Sequence, residues 1–253
     1  MNSSSFPTRI ALTGAAGFLG RSLVAGLSPH FALRTLDVNP TEGDGEKLVG
    51  SVADPATADA LCQGCSHLVI AHMAPNRPEI YGTPEVPFDV NVKGVANLFD
   101  AAVRHGIRRT VLISSTAVVS GYEKGRFLDR HLPERPASIY SLTKALQESI
   151  AHYYHDRHAM EVAVFRPAHI CDEDHLIDKY NQQFQRASWT MIDPRDIAEA
   201  VRLALLAPKI DYQTFYILGH TEAHAHADMQ HIRDFLGWTP QHTFAKYPRA
   251  EAA

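Results

Sequence analysis

The chain has 253 residues, of which 45% are hydrophobic, and a formal net charge of −4 with both signs interspersed, as is usual for a folded globular protein. Without a basic face, it is a poor candidate partner for nucleic acid or an anionic membrane. No apolar run reaches the roughly 18 residues that cross a bilayer, and the first five residues lack the apolar core of a signal peptide. We therefore expect a cytoplasmic protein.

Cysteine and histidine form no recognisable metal-binding pattern. The chain has only three cysteines, which cannot form a disulfide framework, and zinc would need a second pair beside Cys62 and Cys65. Four histidines lie close together in a polar tail: His220, His224, His226 and His231. No acidic or cysteine cluster of defined spacing accompanies them. We expect no metal site, although the sequence leaves open whether the histidines of this tail bind a metal.

The first predicted unit is a strand, a glycine-rich turn and a helix. An apolar run at residues 10–12 precedes the sequence TGAAGFLG at residues 13–20, and Leu23, Val24 and Leu27 follow at helical spacing. Glycines let the backbone turn tightly and approach a pyrophosphate, while the free N–H groups at the helix start face its negative charge. The turn predicts a dinucleotide site, although an ordinary strand-to-helix turn can carry the same pattern.

The second predicted strand, residues 32–38, ends near an acidic residue. Asp37 lies 23 residues after Gly14. A carboxylate about 20 residues beyond the first glycine accepts both ribose hydroxyls of the adenosine half and repels a 2′-phosphate. No arginine follows in residues 38–40, so NAD is favoured over NADP. The alternative is a surface aspartate that begins a turn.

Strands and helices then alternate, which predicts right-handed βαβ units in an α/β fold with a doubly wound parallel sheet of the Rossmann type. The further expected strands are residues 47–50, 66–71, 110–113, 161–165 and 214–218. One further expected helix begins at residue 54, and four others cover residues 88–105, 137–157, 193–206 and 229–236.

The segments between these elements are predicted to be loops. Residues 73–87 carry four prolines, and residues 169–186 are expected to form a long loop with a short helix. We treat residues 1–253 as a single Rossmann-fold domain. Within it, residues 167–190 and 207–253 are expected to contribute a small substrate-binding subregion.

Tyr140 and Lys144 lie one turn apart on one predicted helix. A phenol with a pKa of about 10 is a poor base at neutral pH, so an ammonium one turn away is expected to lower the pKa of Tyr140. The hydroxyl of Thr116 or Ser115 could hold the substrate oxygen beside Tyr140 while a nicotinamide takes or gives hydride. The alternative is an exposed surface pair that has this spacing by chance.

In their order along the chain, the glycine turn, Asp37, the hydroxyl run at residues 114–116 and the Tyr-x-x-x-Lys segment resemble the short-chain dehydrogenase/reductase family in its extended, epimerase-like branch. Further similar segments are residues 91–98, the pair Arg166-Pro167 and the sequence FLGWTP at residues 235–240. The resemblance implies that Thr116, Tyr140 and Lys144 form the catalytic set. It also implies that Asn91 is structural or relays protons.

The resemblance further implies which residues surround the cofactor and the substrate. The cofactor-binding residues would be Gly14, Gly17, Phe18, Leu19, Gly20, Asp37, Ser51, Val52, Ala71, His72, Met73, Asn91, Ser114, Tyr140, Lys144, Arg166 and Pro167. The substrate-binding residues would be Asn76, Ser115, Thr116, His169 and Arg186.

Three departures from the family pattern narrow the function. Ser51 stands where the family usually has an acid for the adenine amine, and its hydroxyl accepts that bond more weakly. Sugar-nucleotide dehydratases of this branch place an Asp-Glu pair directly after the catalytic threonine, whereas this chain has Ala117-Val118. Only about 85 residues follow Arg166, which leaves little to hold a nucleotide diphosphate. Dehydration is therefore disfavoured.

The chain is more closely similar to the uronate dehydrogenases, short members of this branch that oxidise a hexuronate at C1 with NAD. This likeness implies that Arg186 grips the substrate carboxylate, a contact that suits the bidentate guanidinium geometry. A solvated charge on a loop is the alternative for Arg186. Asn76 and His169 stand where that group has substrate-contacting serines.

Three functions remain open from the sequence. The first is an NAD-dependent dehydrogenase of a small polar alcohol or sugar acid. The second is an epimerase, or a reductase of another small carbonyl compound. The third is a non-catalytic dinucleotide-sensing protein, which the intact Tyr-Lys pair disfavours. The resemblance also implies a homodimer joined through a four-helix seam of the helices at residues 88–105 and 137–157.

Overall fold

The computed structural model describes residues 8–75 and 78–250, and the statements below concern those residues. The strands of the main sheet are β1 (Arg9–Thr13), β2 (Ala32–Asp37), β3 (Glu46–Val49), β4 (His67–Ile70), β5 (Arg109–Ile113), β6 (Glu161–Pro167) and β10 (Tyr212–Ile217). They pair in parallel in the order β10-β6-β5-β4-β1-β2-β3. The order reverses between β1 and β4, as in a doubly wound sheet, and the prediction of a Rossmann-type fold is confirmed.

Helices cover both faces of this sheet. They are α1 (Phe18–Leu27), α2 (Pro55–Cys62), α3 (Pro78–Tyr81), α4 (Glu85–Pro87), α5 (Gly94–Arg104), α6 (Ile139–His158), α7 (Pro194–Leu206) and α8 (Gln230–Leu236). One core lies between the sheet and α1, α7 and α8, and includes Leu23 and Ile197. A second core lies on the opposite face under α2, α5 and α6, and includes Leu61, Leu98 and Ala151. The central strands are thus buried on both sides.

Local sequence signals account for several helix starts. The side chain of Asp54 accepts hydrogen bonds from the backbone N–H groups of Ala56 and Thr57, which confirms the predicted start of α2. Ser138 and Ser141 form a reciprocal capping box at the start of α6. Because that cap fixes the first turn of α6, it also fixes the position of Tyr140, which is the second residue of this helix.

Two segments differ from the expected loops. Residues 73–87 include the short helices α3 and α4, and a π-helical turn, Phe88–Lys93, leads into α5. The expected short helix within residues 169–186 is wrong. That region forms β7 (His169–Asp172) and β8 (Ile177–Asp178), which with β9 (Met191–Ile192) make a small sheet in the order β8-β7-β9. The pairing of β7 with β9 spans about 20 residues, so no local pattern shows it.

The glycine turn is held against the end of β4. Gly14 has a φ of +74°, and a Cβ there would lie 2.8 Å from backbone atoms of Ala71 and His72. A Cβ at Gly20 would lie 2.0 Å from the carbonyl oxygen of Gly14. Any side chain at these two positions would force β1, the first turn of α1 and the β4 end apart.

We expect Gly14→Ala to lower the free energy of unfolding by more than Gly64→Ala. Gly64 also has a positive φ, of +67°, but nothing lies within 4 Å of the Cβ that it would gain. Gly64→Ala should therefore cost about 1–2 kcal/mol from the left-handed backbone alone. Gly14→Ala should cost a further ~1–3 kcal/mol from the clash. Urea denaturation measures both, and equal losses would contradict this account.

Candidate active site

The predicted site residues converge at one edge of the sheet. Because the strands are parallel, the carboxyl ends of β1, β4, β5 and β6 lie side by side. The glycine turn follows β1, Ala71 follows β4 and Ser114 follows β5. In open α/β sheets this edge, where the strand order reverses, is where ligands bind.

The residues after β1 and β2 form a cradle with free hydrogen-bond donors. Gly17 caps α1 without any side-chain hydrogen bond, so the first-turn N–H groups of α1 are available to an anion. The carboxylate of Asp37 accepts hydrogen bonds from the backbone N–H groups of Ala16, at 3.1 Å, and Asn39, at 2.9 Å. These bonds fix the carboxylate beside the turn. The donor set and the glycine packing fit a dinucleotide.

Other predicted cofactor residues lie around this cradle. Leu19 and Gly20 are buried in the first turn of α1, while Phe18 is half-buried. The backbone N–H of Gly50 donates to the carbonyl of Asp37 at 3.0 Å, which brings Ser51 and Val52 next to the end of β2. The Ser51 hydroxyl accepts from the backbone N–H of Ala53 at 3.2 Å.

A buried histidine joins the ends of β1 and β4. His72 Nδ1 lies 2.9 Å from the hydroxyl of Thr13, and His72 Nε2 lies 3.2 Å from the carbonyl oxygen of Val90. Burial, and then the nearby Lys144, lower the pKa of His72 to about 4, so the ring is neutral at physiological pH. These partners assign the proton to Nε2, which donates to Val90, and leave Nδ1 to accept from Thr13.

Asn91 fastens the chain after β4 to α6. Its side-chain oxygen accepts from the backbone N–H of Ala74 at 2.7 Å. Its side-chain nitrogen donates to the hydroxyls of Thr143, at 3.0 Å, and Tyr81, at 3.1 Å. The Asn91 carbonyl accepts from the side chain of Gln147 at 2.9 Å. The fully buried Asn91 is thus a structural tie, one of the two roles anticipated for it.

Tyr140, Ser115 and Lys144 meet where β5 ends. Ser115 lies close enough to the half-buried Tyr140 for its hydroxyl to favour the phenolate and so to lower the pKa of Tyr140. Lys144 is 3% exposed, and its Nζ donates to the carbonyl of Ile113 at 2.8 Å. Thr116 begins a 3-10 turn, Thr116–Val119, directly beyond Ser115. Of the two hydroxyls, that of Ser115 is the one that affects the pKa of Tyr140.

The expected effect of Lys144 on Tyr140 is wrong for this structure. Burial raises the pKa of Tyr140, and it is the hydrogen bond from Ser115 that opposes this rise. The Lys144 ammonium points to the Ile113 carbonyl, and burial together with the charge of Lys179 lowers the pKa of Lys144 to about 7. A lysine that is only half protonated at neutral pH stabilises a phenolate less than a full charge would.

Two predicted cofactor residues, Ser114 and Arg166, have their side chains bonded to the buried carboxylate of Glu148. The guanidinium of Arg166 binds Glu148 in a bidentate manner, at 3.0 and 2.7 Å, and donates to the hydroxyl of Tyr216 at 3.3 Å. The hydroxyl of Ser114 also donates to Glu148. Cofactor contacts from Ser114 and Arg166 would therefore come from the backbone. Pro167 is the last residue of β6.

Sequence reasoning missed three residues near Tyr140 or Lys144. The ring of Tyr81 meets that of Tyr140 edge to face, with centroids 5.7 Å apart. Lys179 Nζ lies 3.8 Å from the sulfur of Met73, and its charge lowers the pKa of Lys144. Tyr180 is close enough to raise the pKa of Tyr140. Lys179 and Tyr180 directly follow the strand β8, which brings them here. No spacing pattern in the sequence predicts that strand.

The predicted substrate residues are not all at this place. Arg186 is exposed, and its guanidinium donates to the backbone carbonyl of Arg249 at 2.9 Å. His169 Nε2 lies 3.0 Å from a carboxylate oxygen of Asp178, the residue before Lys179. Asn76 lies outside the described residues.

Residues 8–75 and 78–250 contain no group of three or more His, Cys, Asp or Glu side chains arranged to hold a metal ion. In the same two ranges, no helix combines the length and the apolar character needed to cross a membrane. The three cysteines are buried free thiols.

Comparison with known proteins assigns the family. Residues 10–217 match the model of the NAD dependent epimerase/dehydratase family. The chain belongs to this family. It is 31% identical to the uronate dehydrogenase of Pseudomonas syringae pv. tomato over 216 residues, which are 82% of this chain and 73% of that one. It is 30% identical to the L-arabinose 1-dehydrogenase (NAD(P)(+)) of Haloferax volcanii over 79% of this chain and 83% of the other.

The fold is shared with a solved member of the same family. A variant of the uronate dehydrogenase from Agrobacterium tumefaciens, complexed with NAD, superposes with a TM-score of 0.76 at 25% identity. The match covers 94% of this chain and 86% of that one. This likeness and the family match confirm the resemblance to the extended, epimerase-like branch.

We expect His72 to make the protein less stable in mild acid. Its pKa in the fold, about 4, lies below the ordinary value of 6.5, so the unfolded chain binds more protons between these values. Stability from this group is full above pH 6.5 and falls as the pH drops towards 4. Between pH 7 and 5 the loss should be about 2 kcal/mol.

Urea denaturation at the two pH values, compared between the parent and His72→Gln, measures this contribution. The variant should lack this part of the pH dependence, while a matched change at the exposed His131 should keep it. An unchanged pH dependence in His72→Gln would refute the assignment of a neutral His72.

Proposed function

We propose that this chain is an NAD-dependent dehydrogenase that oxidises a hexuronate at C1. The observation that carries the proposal is the meeting of Tyr140, Ser115 and Lys144 at the sheet edge that also holds the glycine turn and Asp37. A phenol, a hydroxyl donor and a buried lysine at one place suit proton removal from an alcohol. The uronate and arabinose dehydrogenases among its relatives support the same reaction class.

The cofactor of the proposed reaction is NAD, which accepts the hydride. The first-turn N–H groups of α1 would bind its pyrophosphate, and Asp37 would accept the ribose hydroxyls. The Asp37 carboxylate, already fixed by the backbone of Ala16 and Asn39, would repel a 2′-phosphate. Ser51, Val52 and Met73 remain proposed cofactor contacts near the cradle.

Each residue of the catalytic set has a proposed task. Ser115 donates its hydroxyl hydrogen to the substrate oxygen, and the phenolate form of Tyr140, which has first lost its own proton, accepts the proton that leaves the C1 hydroxyl. Lys144, with a pKa of about 7, exchanges a proton at neutral pH one helical turn from Tyr140. Thr116 follows Ser115 directly and lines the same turn. We therefore assign the hydroxyl role to Ser115 in place of Thr116.

We assign the substrate carboxylate to Lys179. Its ammonium lies beside Met73 and close enough to Lys144 to lower the pKa of that lysine, so two like charges lie near each other. A carboxylate bound between them would relieve the repulsion. The guanidinium of Arg186 already donates to the Arg249 carbonyl, which makes it the poorer candidate.

Tyr140→Phe should abolish turnover while NAD still binds. Removing one hydroxyl deletes the proton acceptor but leaves the glycine turn and Asp37 intact, so kcat should fall by roughly 10²–10⁴-fold. NADH formation with glucuronate and galacturonate measures turnover, and calorimetry measures NAD binding. Residual activity close to that of the parent would overturn the role of Tyr140. If the parent protein bound NAD tightly but turned over no sugar, a dinucleotide-sensing protein would be the remaining interpretation.

Lys179→Met and Arg186→Met separate the two candidate carboxylate partners. Lys179→Met should raise KM for glucuronate by roughly tenfold or more, because it removes a charge-assisted contact. It should change activity on a neutral sugar much less. Arg186→Met is the matched control and should behave like the parent. If Arg186→Met raised KM for glucuronate and Lys179→Met did not, the carboxylate contact would be assigned to Arg186 instead.

A neutral aldose is the second candidate substrate. The L-arabinose 1-dehydrogenase among the relatives is the observation that favours it. In that case neutral sugars would be oxidised at least as well as uronates, and Lys179→Met would leave both activities similar.

We also propose a cytoplasmic homodimer. The free, buried thiols suit a reducing compartment. Helices α5 and α6 lie side by side, and α6 exposes Leu142 and Tyr153. Light scattering should give twice the chain mass, and Tyr153→Glu should shift the protein towards monomer. A parent protein that is monomeric at micromolar concentration would refute the proposed dimer.

A further inference from the structure

A cavity of about 330 Å³ lies away from the proposed catalytic set. It is enclosed by the residues after β10, a 3-10 turn (Thr221–Ala225), the helix α8 and the segment that follows α8. Its apolar part is formed by Leu218, Met229 and Trp238. None of the residues placed around Tyr140 lines it.

The polar part of this cavity is cationic. Arg233, His220 and His224 line it together with the threonines 221, 239 and 243, and no carboxylate of the described residues does. Of the neighbouring acids, Glu222 pairs with Arg249 and lies 4.0 Å from His220, and Asp234 accepts from the side chain of Gln230 at 2.7 Å. Among the described residues, Arg233 has no ion-pair partner within 4.0 Å.

Arg233 is left with unused hydrogen-bonding capacity. Its Nε is buried and has no partner in the structure, and its Nη2 lies 3.0 Å from Nε2 of His224. A guanidinium carries five donors, and an unpaired donor removed from water is costly. Burial and the charge of Arg233 lower the pKa of His224, which keeps its ring neutral and able to accept from Arg233.

We propose that this cavity binds the carboxylate or phosphate group of a small metabolite, with Arg233 as its anchor. Such an anion would accept from N–H groups of the Arg233 guanidinium, whose geometry suits a two-point contact with a carboxylate or phosphate. The threonine hydroxyls would supply further donors, and Trp238 and Met229 would contact the carbon atoms of the ligand. The size suits a compact molecule rather than a dinucleotide.

The side-chain Nε–H signal of Arg233 reports directly on this site. In the ¹⁵N-labelled full chain it is identified by its loss in Arg233→Lys, and it is followed during titration with inorganic phosphate and, separately, acetate. We expect a saturable shift with at least one of the two probes, and the probe that acts tells phosphate from carboxylate recognition. This measurement needs no folded variant beyond the assignment. Absence of any shift with both probes would overturn the proposal.

Calorimetry with the same probe compares Arg233→Met with Arg202→Met. Arg202 is an arginine on α7 that pairs with Glu199 and does not line the cavity, so it is the matched control. Arg233→Met should weaken binding by roughly tenfold or more, and Arg202→Met should leave it unchanged. Equal weakening in both variants, or a shift that does not saturate, would mean an adventitious ion only and would overturn the proposal.

Discussion

A single buried carboxylate joins the helix that carries Tyr140 and Lys144 to the sheet. Glu148 lies one turn after Lys144 on α6 and receives the guanidinium of Arg166 from β6 and the hydroxyl of Ser114 from the end of β5. Each side chain in this group is less than 5% exposed. Breaking one partner of such a pair leaves an uncompensated buried charge, which costs about 3–5 kcal/mol. The position of Lys144 under the Ile113 carbonyl depends on this tie, as does that of Tyr140 beside Ser115.

Desolvation sets the electrostatics of the site more than pairing does. Burial raises the pKa of Tyr140 and lowers those of Lys144 and His72, and the second lysine, Lys179, adds to the fall for Lys144. Neutral His72 serves as a hydrogen-bonded spacer between Thr13 and Val90. Burial thus favours the neutral forms of Tyr140, Lys144 and His72, whereas the buried charges of Glu148 and Arg166 are kept by pairing with each other.

Much of the architecture could be predicted because it rests on local patterns. The glycine turn, the apolar strand runs and the Asp54-Pro55 helix start each follow from residues close together in the chain. The three-stranded sheet of β7, β8 and β9 could not, because its strands are two to four residues long and β7 pairs with β9 across about 20 residues. The shortness of β8 also hid Lys179, which lies near Lys144, and Tyr180, which lies near Tyr140.

The sequence by itself determined the Rossmann-type sheet, the dinucleotide turn with Asp37, and the helix that presents Tyr140 and Lys144 on one face. These features depend on spacing along the chain. Only the tertiary structure decided that Ser115 lies near Tyr140, that Lys144 is desolvated, and that Arg186 donates to the Arg249 carbonyl while Lys179 lies near Lys144. Hydrogen-bond partners, burial and the sign of a pKa shift depend on groups distant in the chain, because water exclusion arises only when those groups pack together.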